Sequence, residues 1–198
     1  MTRSVRFVLA GVAAATFCGA ANADTLATFA DPSPGGAMPL FSYQAGILSG
    51  SWLLPGLTLQ TPGLAAPDFP NATFVMTPLA TIVALPGVTI MFGGSIQFFD
   101  QLNTPILNIS FAGATLTNGI SFGASDFVGQ NVTISGSIVP YPVTQDAFAF
   151  SFANPVGSVS QFTATAAFTS SGTLDVPAPA SAALFGLAGL SVTRRRRK

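Results

Sequence analysis

Apolar and polar side chains alternate with a period of two residues in many short runs between residues 24 and 175. The clearest runs cover residues 107–111, 131–138, 147–152 and 161–169. Because successive side chains of a β-strand point to opposite faces, each run predicts a strand with one buried and one solvated face. No long stretch of this region has the apolar spacing of a helix. The alternation therefore predicts an all-β domain.

Turn residues separate these runs, which favours short antiparallel strands. We predict an antiparallel β-sandwich, jelly-roll-like, with phenylalanine side chains from both sheets in the core. Further strands are expected at residues 26–29, 47–54, 73–77, 88–92 and 95–99. Residues 31–70 are richer in Pro and Gly, and we expect long loops and edge structure there.

Charged residues make up only 7% of the chain, and their signs are segregated. Residues 24–175 hold all seven acidic residues, every one an Asp, and no Lys, Arg, His or Glu. All seven basic residues lie outside that range, at Arg3, Arg6 and residues 194–198. A region without cations cannot replace counterions on phosphates, so nucleic-acid binding is excluded as a function of this region.

Residues 1–23 have the layout of a secretion signal. A short basic stretch ends at Arg6, an apolar stretch follows, and Ala21 and Ala23 supply small residues at positions −3 and −1 of a cleavage site before Asp24. We predict cleavage there, which would also remove the single cysteine, Cys18. An uncleaved N-terminal anchor helix is the alternative.

Residues 176–198 combine three segments in a fixed order. A proline motif comes first, an apolar segment over residues 180–193 follows, and five cations end the chain. The apolar run 180–192, as a helix, would span only ~20 Å of a ~30 Å hydrocarbon core, so it predicts a marginal membrane anchor with its basic end in the cytoplasm. The residues concerned are Val176, Pro177, Ala178 and Pro179 in the motif, Ala180, Leu184, Phe185, Leu187, Leu190 and Val192 in the helix, and Arg194, Arg195, Arg196, Arg197 and Lys198 in the basic cluster.

This tail resembles the PEP-CTERM sorting signal of Gram-negative bacteria, a tail type also labelled "ice-binding protein C-terminal" domain. Ala178 stands where the usual motif has Glu. The resemblance covers residues 176–198 and implies export through the inner membrane, a transient C-terminal anchor, and cleavage near the proline motif by an exosortase. It also implies a cell-surface or extracellular location and a link to exopolysaccharide or biofilm. A plain tail anchor that is never cleaved is the alternative.

The chemistry open to residues 24–175 is narrow. Without His, Lys, Arg, Glu or Cys no catalytic triad can form, and we predict no enzyme. Calcium is the one cofactor that these residues favour, since Asp and Asn oxygens suit that ion; Asp100 with Asn103, Asp126 with Asn131, and Asp68 with Asn71 could each begin a site. A glycosidase needs two carboxylates, and an Asp pair such as Asp100 and Asp126 could supply them. Exposed aromatic rings would favour carbohydrate binding, and the candidates are Trp52, Tyr43 and Tyr141.

Three domains are therefore predicted: a signal peptide at 1–23, an exported β domain at 24–175, and a sorting tail at 176–198. The first interpretation is a non-catalytic structural or adhesive component of the cell surface or extracellular matrix. Its partners would be signal peptidase, an exosortase, the inner membrane before processing, and exopolysaccharide. The alternative is a carbohydrate- or calcium-binding module, and an enzyme is the third interpretation.

Overall fold

The structure is a computed structural model that describes residues 23–30, 40–117, 127–158 and 160–176, without the side chains of Leu54 and Pro55. The signal peptide through residue 22 and the tail from Pro177 lie outside the described residues, as do both predicted terminal helices. The described ranges contain ten strands and no helix with the length and hydropathy of a membrane span. The strands are β1 (Asp24–Ala30), β2 (Phe41–Gln44), β3 (Ile47–Leu59), β4 (Phe69–Met76), β5 (Leu79–Leu85), β6 (Val88–Phe99), β7 (Pro105–Thr117), β8 (Phe127–Ser135), β9 (Val143–Ser158) and β10 (Gln161–Leu174).

The ten strands fill eight positions of one closed antiparallel barrel. β4 and β5 continue one another, because both pair with β3 on one side and with β6 on the other. β1 and β2 likewise lie along the same side of β10. Each position then pairs with the next along the chain, and β10 pairs with both β9 and β1. The last strand thus meets the first and closes the ring.

The prediction of an all-β antiparallel domain is confirmed, but the strands close into a barrel and do not form the two separate sheets of the predicted sandwich. Closure depends on pairing between β1 and β10, for example Phe29 opposite Phe168. Alternation reports which face of a strand is buried, and that face looks the same in a barrel and in a sandwich. The difference lies in contacts between residues far apart in the chain, which no local pattern contains.

Phenylalanine fills the barrel interior, as predicted for the core. Eight Phe side chains are almost fully buried: Phe29, Phe41, Phe74, Phe98, Phe127, Phe148, Phe150 and Phe168. Their rings contact each other in stacked, tilted and edge-on pairs, as aromatic rings prefer. The rings come from strands all round the barrel, so their burial holds the closed ring together.

The Pro- and Gly-rich range 31–70 contains more strand than the sequence predicts. β2 and β3 form a tight hairpin whose two turn residues, Ala45 and Gly46, both have positive φ (51° and 76°). A two-residue turn in which both residues have positive φ has a backbone twist that matches the right-handed twist of the flanking strands. Residues 31–39 of this range lie outside the described residues.

The two ends of the barrel differ in charge. Five Asp residues lie at or near one end, which we call the acidic pole: Asp24, Asp68, Asp100, Asp146 and Asp175. The other end, the hairpin pole, carries the β2–β3, β5–β6 and β9–β10 connections and no described charged residue. Asp31 and Asp126 lie outside the described residues. Both described chain ends, Ala23 and Val176, lie at the acidic pole, because β1 begins opposite Gly172 near the end of β10.

Candidate functional site

The predicted calcium candidate Asp100 holds the turn between β6 and β7. Its Oδ1 accepts hydrogen bonds from the backbone N–H groups of Leu102 and Thr104, each at 2.8 Å. Asn103 in the same turn has a φ of 62°, a conformation that Asn tolerates. The other calcium candidate, Asp126, lies outside the described residues, so calcium binding stays a prediction. The part of the chain that the structure describes contains no group of three or more His, Cys, Asp or Glu placed to hold a metal ion.

Two further carboxylates bind backbone amides. Asp68 accepts a hydrogen bond from the N–H of Thr61 at 3.1 Å in the β3–β4 connection. Asp146 accepts one from the N–H of Ile134 at 2.7 Å, across the seam between β8 and β9. That seam has only two residue pairs, at Phe127 and Val128, so the Asp146 carboxylate supplies an acceptor that the strand ladder lacks there. The other oxygen of Asp146, Oδ1, is buried without a hydrogen-bond partner.

The three aromatic residues predicted to bind carbohydrate do not form one exposed platform. Trp52 is half-buried, with its ring edge-on to Phe29 at 6.1 Å. Tyr43 is only 6% exposed, and its hydroxyl lies 3.1 Å from Oγ1 of Thr81 near the hairpin pole. Tyr141 is exposed in the β8–β9 connection at the acidic pole. Two of the three rings therefore help to fill the barrel, and the third lies at the opposite end from Tyr43.

A shallow depression at the hairpin pole is a stronger candidate for binding. The start of β10 has β2 on one side and the end of β9 on the other, with Thr163 opposite both Ser42 and Val156. Outward side chains of these three strands, together with Gly157 and the mostly buried Phe162, surround a volume of about 360 Å³. We call this depression the neutral bowl, and its lining residues are Ser42, Gln44, Val156, Gly157, Ser158, Gln161, Phe162 and Thr163.

The neutral bowl offers amides and hydroxyls but no charge. Gln44 and Gln161 carry side chains that both donate and accept hydrogen bonds, and Val156 adds an apolar side chain that is 72% exposed. No local sequence pattern indicates this site. Polar residues at strand ends are typical of turns, and only the barrel's closure brings β2 and β9 to the two sides of β10.

The predicted processing sites border the barrel. β1 begins at Asp24, the residue after the predicted signal cleavage, and Ala23 is exposed; Ala21 lies outside the described residues. At the C-terminal end of the barrel domain, the N–H of Asp175 donates to the carbonyl of Pro142 at 2.9 Å. Val176, the first residue of the predicted sorting motif, follows directly and is 58% exposed. Pro177, the rest of the motif, the predicted helix and the basic cluster lie outside the described residues.

No family model, curated protein or solved structure matches this chain.

Proposed function

We propose that this chain is an exported, exosortase-sorted protein of the bacterial cell surface or extracellular matrix, with a non-catalytic structural or adhesive role linked to exopolysaccharide or biofilm. The observation that carries the proposal is the place where the chain leaves the barrel. The N–H of Asp175 donates to the carbonyl of Pro142 in the neighbouring connection, whereas the N–H of Val176 donates to the carbonyl of Leu174, two residues back in the chain. The Val176 side chain is exposed, and this residue opens the proline motif. A processing enzyme could therefore reach the motif without unfolding the domain.

The geometry also supports an orientation for the proposed anchored state. Both processing sites belong to the acidic pole, because β1 starts there and β10 ends there. A tail held in the membrane would keep this pole facing the membrane. The hairpin pole, with the neutral bowl, would then point away from the cell and be the end that meets other molecules.

The roles of the described side chains support a structural domain over an enzyme. The carboxylates of Asp68, Asp100 and Asp146 each accept backbone hydrogen bonds that fix turns or strands. The interior that could have formed a catalytic cleft is filled by phenylalanine rings. The Asp carboxylates and the Phe rings together stabilise the closed barrel. No disulfide can do so, because the only cysteine of the chain lies in the predicted leader.

The sorting proposal predicts an effect of the two prolines. Pro177 and Pro179 favour an extended chain that an enzyme can bind as a strand. Replacing both with alanine is expected to leave the tail uncut, so the domain stays in the membrane fraction of the native host, whereas the wild-type chain leaves it. The measurement is the distribution of the domain between membrane and exterior by immunoblot.

The matched control for this experiment is Thr173→Ala, a change of similar size within β10 and upstream of the motif. It is expected to be sorted like the wild-type chain. If the double proline variant is released as efficiently as the wild type, the proline motif is not the processing site. If the wild-type chain itself stays in the membrane fraction, the chain is a plain tail anchor.

The neutral bowl favours a second function, the binding of a neutral saccharide. Its amides and hydroxyls match the donors and acceptors of sugar hydroxyl groups, and its volume of about 360 Å³ is in the range of small-ligand sites. Gln161→Ala is expected to abolish calorimetric binding of oligosaccharides prepared from the host's own exopolysaccharide. Gln97→Ala, at an exposed outward position of β6, is the control and is expected to bind like the wild type. Equal binding by both variants, or no binding by the wild type, would reject the site.

A further inference from the structure

Among the described residues, part of β5 pairs with a neighbouring strand on one side but not on the other. Leu79 and Ala80 pair with β3 at Leu48 and Ile47, and the N–H of Thr81 donates to the carbonyl of Gly46 at 2.8 Å. β3 begins there, so residues 82–85 extend beyond it. They pair with β6 on their other side, with Val83 opposite Ile90. Among the described residues, residues 82–85 therefore form a short free edge with no strand on that side.

This free edge is apolar. Ile82 is 50% exposed and Leu85 is 53% exposed, and no residue of β5 or β6 is charged. Edge strands of natural proteins are usually protected by charged side chains, prolines or bulges. Here the protection is slight: the register shifts between Thr81 and Val83, and no charge is present.

The outer face of β6 continues the same surface. Ile90 and Phe92 lie two residues apart on one face of the strand, and Phe92 is 57% exposed. Its partner on β7 is Gly113, which has no side chain to cover the ring. We call the surface of Val83, Leu85, Ile90 and Phe92 the edge patch. Its apolar area is on the order of a few hundred Å², the size at which such patches mark interaction sites.

We infer that the edge patch binds a second copy of this chain, with the free edge of β5 in one copy pairing antiparallel with the same edge in the other. A two-fold axis makes one edge strand complementary to itself, so the donors and acceptors of both copies are satisfied together. The outward Val83, Leu85 and Phe92 of the two copies then form one apolar surface across the joint sheet.

The charge distribution favours a second copy as the occupant. Like charges oppose association, but all the described carboxylates lie at the acidic pole. Contact through the hairpin pole keeps them apart. A saccharide would leave apolar side chains facing hydroxyl groups, and a membrane holding the tail would lie beside the other pole.

The size of the patch predicts a weak contact. A stable complex buries about 800 Å² on each partner, and the edge patch is smaller. Association should therefore depend on concentration, and a crowded surface or matrix would favour it. This inference does not depend on how the tail is processed, and the two are tested by different measurements.

Disulfide trapping tests the inference. In the full chain carrying Cys18→Ser, Ala84→Cys places the only thiol on the free edge. Ala147→Cys places it at an exposed outward position of β9 toward the acidic pole. With the chain in a mild non-ionic detergent and a catalyst of disulfide formation, Ala84→Cys is expected to give a band of doubled mass, and Ala147→Cys is expected to stay single. Fluorescence of the single tryptophan, Trp52, which contacts Phe29, checks that both variants are folded.

A second variant separates edge pairing from chance collision. Val83→Lys, added to Ala84→Cys, puts a cation on each edge and is expected to remove the doubled band. In the same detergent, light scattering of the chain with Cys18→Ser alone should show its protein mass rising toward double with concentration. A chain that is single at every concentration, or cross-links equally through both cysteines, overturns the inference. So does a monomer whose binding to phosphatidylcholine vesicles falls with Val83→Lys, because the patch would then face lipid.

Discussion

Phe150→Ala is expected to lower the free energy of unfolding by about 3–5 kcal/mol, at the upper end of large-to-small substitutions in a core. Phe150 is fully buried, and its ring is 4.7–6.2 Å from six other rings. Those rings come from β1, β2, β4, β8, β10 and its own strand β9: Phe29, Phe41, Phe74, Phe127, Phe148 and Phe168. Removing one ring at the centre of so many contacts leaves a cavity that rigid neighbours cannot fill.

Urea unfolding, followed by the fluorescence of Trp52, measures this loss. The matched control is Phe92→Ala, because Phe92 has the same side chain but is 57% exposed on the outer face. At concentrations where the chain is a monomer, the control is expected to change stability by no more than about 0.5 kcal/mol. Equal losses for the two variants would mean that the phenylalanine interior is not what holds the barrel together.

Gly93→Ala is expected to cost about 3 kcal/mol, because the new methyl group would meet backbone and not a movable side chain. A Cβ on Gly93 would overlap the carbonyl oxygen of Phe111 and would lie 2.6 Å from the carbonyl oxygen of Ala112. Both atoms belong to β7, which pairs with β6 along almost its whole length. The two strands would have to separate locally and lose ladder hydrogen bonds.

Gly113→Ala on the neighbouring strand is the control for that experiment. A Cβ there would lie 3.6 Å from the carbonyl oxygen of Met91, an ordinary van der Waals distance. Because alanine has less conformational freedom to lose than glycine, this change is expected to leave stability unchanged or to raise it by about 0.4–1 kcal/mol. Thermal unfolding of the two variants side by side measures the difference. A Gly93→Ala chain as stable as Gly113→Ala would contradict the close approach of β6 and β7.

The local structure of this domain could be predicted from its sequence because alternation is a local property. The run 147–152 predicts the inward Phe148, Phe150 and Phe152, and all three are buried. The predicted strands 88–92 and 95–99 are parts of one continuous strand, β6. The two predicted strands leave a gap at Gly93 and Gly94, but β6 continues through both residues. The absence of side chains there lets β6 lie close to β7 and to Leu79.

The closed ring and the candidate sites could not be predicted in the same way. The pairing of Phe29 with Phe168 joins residues at opposite ends of the domain. The neutral bowl needs β2 and β9 beside the start of β10, and the free edge exists only because β3 begins at Ile47, opposite Ala80. The role of Asp100, in contrast, is local, because its carboxylate accepts hydrogen bonds from backbone N–H groups two and four residues along the chain, as Asp often does in turns.

The proposal that the barrel is exported and sorted through its tail is tested by the intact mass of the protein purified from its native host, measured together with the cell fraction that contains it. Export and sorting are expected to remove residues 1–23 and the tail beyond the proline motif, with the protein at the surface or outside the cell. A mass that retains Arg194–Lys198, found in the membrane fraction, would rule out sorting and identify a plain tail-anchored protein.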